Sequence, residues 1–217
     1  MLSRIKIAAL LLISSCAGHS LKNVHEKPEP SGRMGLAEVG KKCVASEGAP
    51  KIAIIIDDIG KYENDIEPFL ALGIPLTFSI LPGQPFSPGH SVTIKTLGYE
   101  QMLHIPLEPE DSGKIDDENI LTTEMNDSEI AGRIEFFFEK FPQISGVNQH
   151  MGSKFSQDRE KMRVLLGEVK KRGLYFIDSR TTEKTVAYEL ALEMGIASAS
   201  RDVFLDNSRD ANEILLS

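Results

Sequence analysis

From residue 51 onward, short runs of apolar and β-branched residues alternate with longer stretches in which apolar positions recur every three or four residues. The short runs, at 51–56, 76–81, 100–105, 144–149, 174–177 and 196–200, are bounded by turn residues and read as strands. The intervening stretches, at 64–72, 88–97, 128–140, 158–172 and 183–194, read as helices. Gly73, Gly98, Gly173 and Gly195 each stand between a helical stretch and the next strand, where a left-handed helix cap is expected. Such alternation predicts a parallel sheet with helices outside it, as an open doubly wound sheet or a barrel. Six strands fall short of the eight in a complete (β/α)₈ barrel, so a barrel here is irregular and incomplete. A further helical pattern opens at Ser208 and runs to Ser217.

The first fifty residues follow different rules. Arg4 and Lys6 precede an apolar core at 7–13 and a small-residue step at Ser14-Ser15, the layout of a secretory leader and too short for a bilayer span. Ile13-Ser14-Ser15-Cys16 resembles a bacterial lipobox, in which cleavage before the Cys leaves it lipidated; the alternative is an ordinary leader with an incidental Cys. Both readings place the protein outside the cytoplasm, in the periplasm or cell envelope. Cys43 is the other cysteine of the chain, and a bridge between the two would staple only the leader, so no thiol chemistry is implied. Residues 19–50, rich in Lys, Glu, Pro, Ser and Gly without periodicity, read as a flexible tether. The expected organisation is therefore leader 1–18, tether 19–50 and one domain at 51–217.

A formal net charge of −8 excludes nucleic acid and anionic membrane as partners of a basic face. A neutral or cationic substrate fits better.

Polar residues recur at the carboxyl ends of the strands, where ligands gather in parallel α/β folds. Asp57-Asp58 ends the first strand, His104 and His150 lie at the ends of the third and fourth, and Asp178 at the end of the fifth. Adjacent carboxylates point to opposite faces of a straight strand and converge only where the chain turns; Gly60 is the expected turn. One carboxylate can then hold a metal while the other accepts a proton. Two imidazoles and one carboxylate make an open Zn²⁺ site. Taken singly, an Asp-Asp turn also caps a helix and a strand-end His also serves as a structural hydrogen bonder; their convergence favours a metal site.

The segments IAIIIDDIG, LTFSILPG, GYEQMLHIPLEP, GVNQHMGSKFSQD, GLYFIDSRTT and ASRDVFLDN resemble, in order and spacing, the divergent polysaccharide deacetylase (YibQ-like) family over residues 51–207. The resemblance implies a distorted (β/α) barrel like that of the NodB-type carbohydrate esterases. It implies Asp57 as general base, Asp58 and His104 as metal ligands with His150 the third, and hydrolysis of an acetyl group from a carbohydrate. Those esterases carry His-x-x-x-His where this chain has His104 and Glu108, so Glu108 is expected either as a replacement ligand or, with His150 as ligand, as its support. Asp178 is counted as a second catalytic candidate. Arg180 is expected to orient a carboxylate or bind substrate, or else Arg180 or Arg201 forms a buried ion-pair network with Asp178, Asp202 and Asp206. Relatives continue past the RDVFLDN-like segment through a helix and a strand with a Gly-His pair, so a general acid and a closing strand are expected to be missing. The alternatives are a glycan-binding module that keeps the fold without turnover and, below it, a phosphoesterase, which would need basic phosphate clamps that the strand ends before Arg180 do not offer.

Overall fold

The computed structural model describes residues 7–12, 51–111, 113 and 118–206. The expected tether, both cysteines and residues 208–217 lie outside them.

Among the described residues, eight strands form one sheet: β1 (Ile7–Leu12), β2 (Lys51–Ile59), β3 (Thr77–Ile80), β4 (Glu100–Leu107), β5 (Gly146–Met151), β6 (Tyr175–Asp178), β7 (Ser198–Ser200) and β8 (Val203–Phe204). Their helices are α1 (Glu67–Leu70), α2 (Ser87–Thr96), α3 (Asp127–Lys140), α4 (Arg159–Lys171) and α5 (Ala187–Glu193), with a 3₁₀ turn at Phe155–Gln157. Asn126 closes a capping box with Glu129 at the start of α3, and Asp158 accepts from the first backbone amides of α4. Gly73, Gly98, Gly173 and Gly195 all carry the positive φ expected of helix caps.

The strand order is β7-β6-β5-β4-β3-β2-β1-β8. β2 through β7 pair in parallel in sequence order, whereas β1 runs antiparallel between β2 and β8. β7 and β8 stand at opposite ends of this order yet are joined through Arg201 and Asp202 alone, so the sheet must curl back on itself. Six parallel strands with helices outside therefore form an incomplete (β/α) barrel.

Strand alternation divides the sheet into two faces. Phe78 and Ile80 of β3, Leu103, Ile105 and Leu107 of β4, Val147 of β5 and Phe176 of β6 face the helices and join the core with Ile134, Phe137, Leu166 and Leu190. Ile55, Met102, Ile177 and Ala199 form a smaller cluster on the inner face. The inner face carries the site, and the helix-side core holds its strands in register.

β1 was not expected as a strand. The residues that read as a leader core pair with β2 from Ile7 opposite Ile56 to Leu12 opposite Lys51, and β8 pairs on their other side. An apolar run of this length satisfies both roles, and processing of the expected leader would empty this lane. Deleting residues 1–18 is expected to leave two unpaired edges and lower the melting temperature, by about 2–4 °C for each kcal/mol of pairing lost in a chain of this size. It should also promote association through the exposed edge of β2. Calorimetry and light scattering on the two forms measure both effects; identical melting and a strictly monomeric shortened chain would show that β1 contributes nothing.

Among the described residues, no helix is long and apolar enough to cross a membrane.

Candidate metal and hydrolytic site

The site is built from a defect in β2. Ile56 pairs with Phe78 and Ile59 with Ile80, so Asp57 and Asp58 together stand opposite one residue of β3. Asp58 takes the left-handed conformation, with φ 63°, that absorbs the extra residue. This bulge, rather than a turn at Gly60, brings the two carboxylates to the same region: the strand continues to Ile59 before Gly60 ends it. Gly60 has φ +123°, a Cβ there would overlap Ser87 Oγ, and its N–H donates to Asp65 Oδ2.

Three ligand atoms converge above the bulge. Asp58 Oδ1 lies 2.7 Å from His150 Nδ1 and 3.2 Å from His104 Nε2, and all three atoms fall within 4.8 Å of one another. Asp58 Oδ1 and His150 Nδ1 are buried with no hydrogen-bond partner. Buried polar atoms normally find a partner, and a divalent cation shared by the three clustered atoms would supply it. The donor set, two imidazoles and a carboxylate, is of the kind that binds such ions.

Asn148 links this triad to Asp57. It stands beside His104 in the pairing of β4 with β5, two residues before His150 and therefore on the same face. Asn148 Oδ1 accepts from His104 Nδ1 at 2.7 Å and from Ser79 Oγ at 2.6 Å, and Asn148 Nδ2 donates to Asp57 Oδ1 at 2.8 Å. Neither Asn148 nor Ser79 stood out in the sequence, although the i, i+2 spacing to His150 is the signal that would have placed Asn148 in the site.

The electrostatics separate the two carboxylates. Burial pushes the Asp57 carboxyl up, and His104 and Asn148 offset this only in part. Burial also acts to raise Asp58, but the close approach of the His104 and His150 imidazoles outweighs it and holds that carboxyl well below the usual carboxylate range. Burial disfavours a charged imidazole at both histidines; the neighbouring Asp57 and Asp58 reverse the effect at His104, while His150 remains lowered. Two adjacent aspartates thus have different character, one readily protonated and one held as an anion.

The sequence profile of the divergent polysaccharide deacetylases matches residues 54–216. The chain belongs to that family. An uncharacterized protein of Haemophilus influenzae is 30% identical over 164 residues, covering 76% of this chain and 58% of the relative. The uncharacterized protein YibQ of Escherichia coli is 31% identical over 166 residues, covering 76% of this chain and 52% of the relative. The chain thus spans little more than half the length of these relatives. A crystal structure of an uncharacterized Agrobacterium tumefaciens protein superposes with a TM-score of 0.67 at 18% identity, over 75% of this chain and 67% of the other, a likeness of fold.

In this member of the family the remaining candidates stand away from the triad. Glu108 neither joins the ligands nor supports them. Its Oε2 accepts from the N–H and hydroxyl of Thr123, each at 2.8 Å, and its Oε1 pairs with Lys154 at 2.8 Å. β4 has ended at Leu107, so the side chain braces the following loop.

Asp178 is excluded from the inner face by strand parity. Asn148 stands opposite Ile177 on the inner face, so Gln149 and Asp178, each one residue further, face the helices. Asp178 Oδ1 accepts from Gln149 Nε2 at 2.6 Å and the Arg180 N–H at 2.8 Å; Oδ2 accepts from Thr185 Oγ1 at 2.9 Å and the Tyr188 N–H at 3.2 Å. Three of these contacts tie the loop after β6 and the start of α5 to the strand end, and the fourth ties it to β5, a positioning role. Asp178→Ala is expected to destabilise the fold by about 3–5 kcal/mol, since it strands several buried donors. Denaturant unfolding measures this, and a metal titration of the variant at low temperature should still give wild-type stoichiometry. A fully stable variant lacking the metal would instead return Asp178 to the site.

Arg201 forms a carbonyl clamp within reach of the charges of Asp178 and Asp202. Arg201 Nε donates to Ser179 O at 2.7 Å and its Nη2 to Arg180 O at 2.8 Å, while its guanidinium lies 3.5 Å from the centre of the Phe204 ring. Arg180 itself sits at φ 45°, and the clamp holds that strained turn in place. For Asp202 and Asp206 the structure assigns no place in the triad.

Proposed function

We propose that this protein is a metal-dependent hydrolase that removes acetyl groups from a glycan of the cell envelope. The convergence of Asp58 Oδ1, His104 Nε2 and His150 Nδ1, with two of these atoms otherwise unpartnered, carries the proposal. These atoms would hold a divalent ion, Zn²⁺ being the best match to two imidazoles and a carboxylate, and it would supply Lewis acidity toward an acyl carbonyl and a water.

The chain's own residues would manage the proton. Asp57 stands next to the ligands without being one, buried and readily protonated, as a general base requires. Asn148 holds it through Oδ1, which assigns proton uptake to Oδ2. The proton taken there is the one available to the departing amine or alkoxide, so one carboxyl serves both steps. His90 is turned away from this task, its Nε2 bonded to the Tyr62 carbonyl at 2.8 Å.

A carbohydrate is supported by the rim as well as by the family. Tyr62 and Phe86 follow the carboxyl ends of β2 and β3 and are 54% and 38% exposed. The Phe86 N–H bonds Gly60 O at 3.0 Å, which joins the two loops into one lip. Exposed aromatic faces there suit the apolar face of a sugar ring. The leader-like start of the chain supports an envelope substrate, and a lipidated Cys16 would anchor the protein to the membrane that such a glycan borders.

Acetate release from chitotetraose and from acetylated peptidoglycan fragments, by the purified chain with and without Zn²⁺, tests the proposal. Release that disappears with a chelator and returns with metal is the expected result. Binding of these glycans by the metal-loaded chain with no release would make it a binding module, and a folded chain that takes up no metal would end the hydrolytic reading.

A further inference from the structure

We infer that Asn148 fixes the polarity of the site: it sets the tautomer of His104 so that Nε2 presents its lone pair to the metal, and it holds Asp57 apart from the ligands. The inference rests on the metal-hydrolase reading for its catalytic half only.

An amide side chain has an accepting end and a donating end, and its orientation is decided by its most demanding neighbour. That neighbour is Asp57, whose Oδ1 accepts here whether or not Oδ2 carries a proton. Asn148 must therefore turn Nδ2 toward Asp57 Oδ1, 2.8 Å away; the reverse orientation would set two oxygens against each other. Its Oδ1 then faces His104 Nδ1 at 2.7 Å. An accepting oxygen requires a hydrogen on that nitrogen, so in the neutral ring the His104 proton resides on Nδ1, and Nε2, 3.2 Å from Asp58 Oδ1, is the nitrogen that would face the metal. The Ser79 hydroxyl, bonded to the same Oδ1 at 2.6 Å, reinforces this orientation from β3.

Position supports the same conclusion. Asn148 is 1% exposed, on a face it shares with Met102 and Ile177. A buried amide among apolar neighbours is costly unless its bonds are made. Its side chain meets that cost with bonds to Asp57 and His104 in the site and to Ser79, which props it. Asn148 acts through His104 and Asp57 and is a positioning residue.

The test uses the full chain with Asn148→Ala, Asn148→Asp and Ser79→Ala, and three readouts: imidazole ¹⁵N shifts of the metal-free protein, Zn²⁺ affinity by competition titration, and acetate release. In the wild type, at a pH high enough for the imidazole to be neutral, His104 should show a single tautomer with hydrogen on Nδ1. Asn148→Ala should mix the tautomers and weaken Zn²⁺ binding about 10- to 100-fold, the usual effect of losing the group that orients a histidine ligand. Asn148→Asp keeps an acceptor for His104, and should keep Zn²⁺ affinity near wild type, but sets a second carboxylate against Asp57; kcat should fall about 100-fold or more with KM little changed. Ser79→Ala should show a weaker version of the Asn148→Ala effects.

A wild-type His104 with hydrogen on Nε2, or an Asn148→Ala protein with wild-type tautomer and Zn²⁺ affinity, would overturn the inference. Wild-type kcat in Asn148→Asp would overturn its catalytic half. Should Asn148→Ala not fold, the isosteric Asp variant and Ser79→Ala still decide. A wild type that binds no metal would defeat the hydrolase reading while leaving the tautomer measurement to judge Asn148 by itself.

Discussion

Asp58→Asn, His104→Ala and His150→Ala are each expected to lose the tightly bound divalent ion of the wild type, about one per chain, with affinity falling by more than the roughly 10- to 100-fold typical of a mere supporting bond. Each supplies one of three converging atoms, and the nearest other carboxylates are committed elsewhere: Glu108 is engaged with Thr123 and Lys154, and Asp57 with Asn148. Asn is the better replacement at residue 58 because the bulge requires φ 63°, which Asn tolerates and Ala does not. An Ala there would confound ligand loss with backbone strain of about 1–3 kcal/mol. Elemental analysis and Zn²⁺ titration, with circular dichroism as the control for folding, give the answer. One variant that keeps a stoichiometric, tightly held ion would remove its residue from the site, and retention in all three would place the metal elsewhere.

The parallel alternation was legible because α1, α2, α4 and α5 are each followed by a glycine cap, while α3 and α4 open on the Asn126 and Asp158 caps. The differences lie where side chains take over the backbone's bonds. α1 begins at Glu67 rather than at residue 64 because Asp65 Oδ2 accepts from the N–H groups of Gly60 and Tyr62, holding that segment as a turn. α5 begins at Ala187 rather than at 183 because Thr185 and the Tyr188 N–H are tied to Asp178. β2 runs three residues past the expected end because a bulge, which leaves no periodic trace, lets the Asp pair stay within the ladder. β1 was hidden for another reason: its partners are Lys51–Ile59 and Val203–Phe204, and an apolar run does not announce so distant a partner.

The candidate site follows the same logic. Asp58, His104 and His150 were legible from residue type and strand-end position, which is where ligands converge. Asp178 shared that position but not the face, and Asn148 shared the face without a chemically conspicuous side chain. Both follow from strand parity once the register is known: Asn148 stands beside His104 and Ile177, and Asp178 lies one step beyond Ile177. Register is a property of the assembled sheet, fixed by packing of the helix-side core.

Asp57→Asn is expected to abolish turnover while leaving the metal in place. The substitution keeps the volume of a buried side chain and retains an oxygen able to accept from Asn148 Nδ2, so the bulge and the position of His104 should persist. What it removes is a proton acceptor, since an amide oxygen cannot take the proton of the attacking water at neutral pH. Loss of a general base typically lowers kcat by about 10²–10⁴-fold. Because the proton moves in the transition state and not on substrate binding, kcat and kcat/KM should fall together, with KM nearly constant. Zn²⁺ affinity should stay close to wild type, as none of the three ligand atoms belongs to Asp57. Steady-state acetate release beside a metal titration separates the possibilities: an unchanged kcat would assign proton uptake to another group, and loss of the ion together with activity would make Asp57 a fourth ligand. A variant that holds the metal, binds glycan and does not turn over would establish that the neighbouring aspartates divide the labour, Asp58 for the ion and Asp57 for the proton.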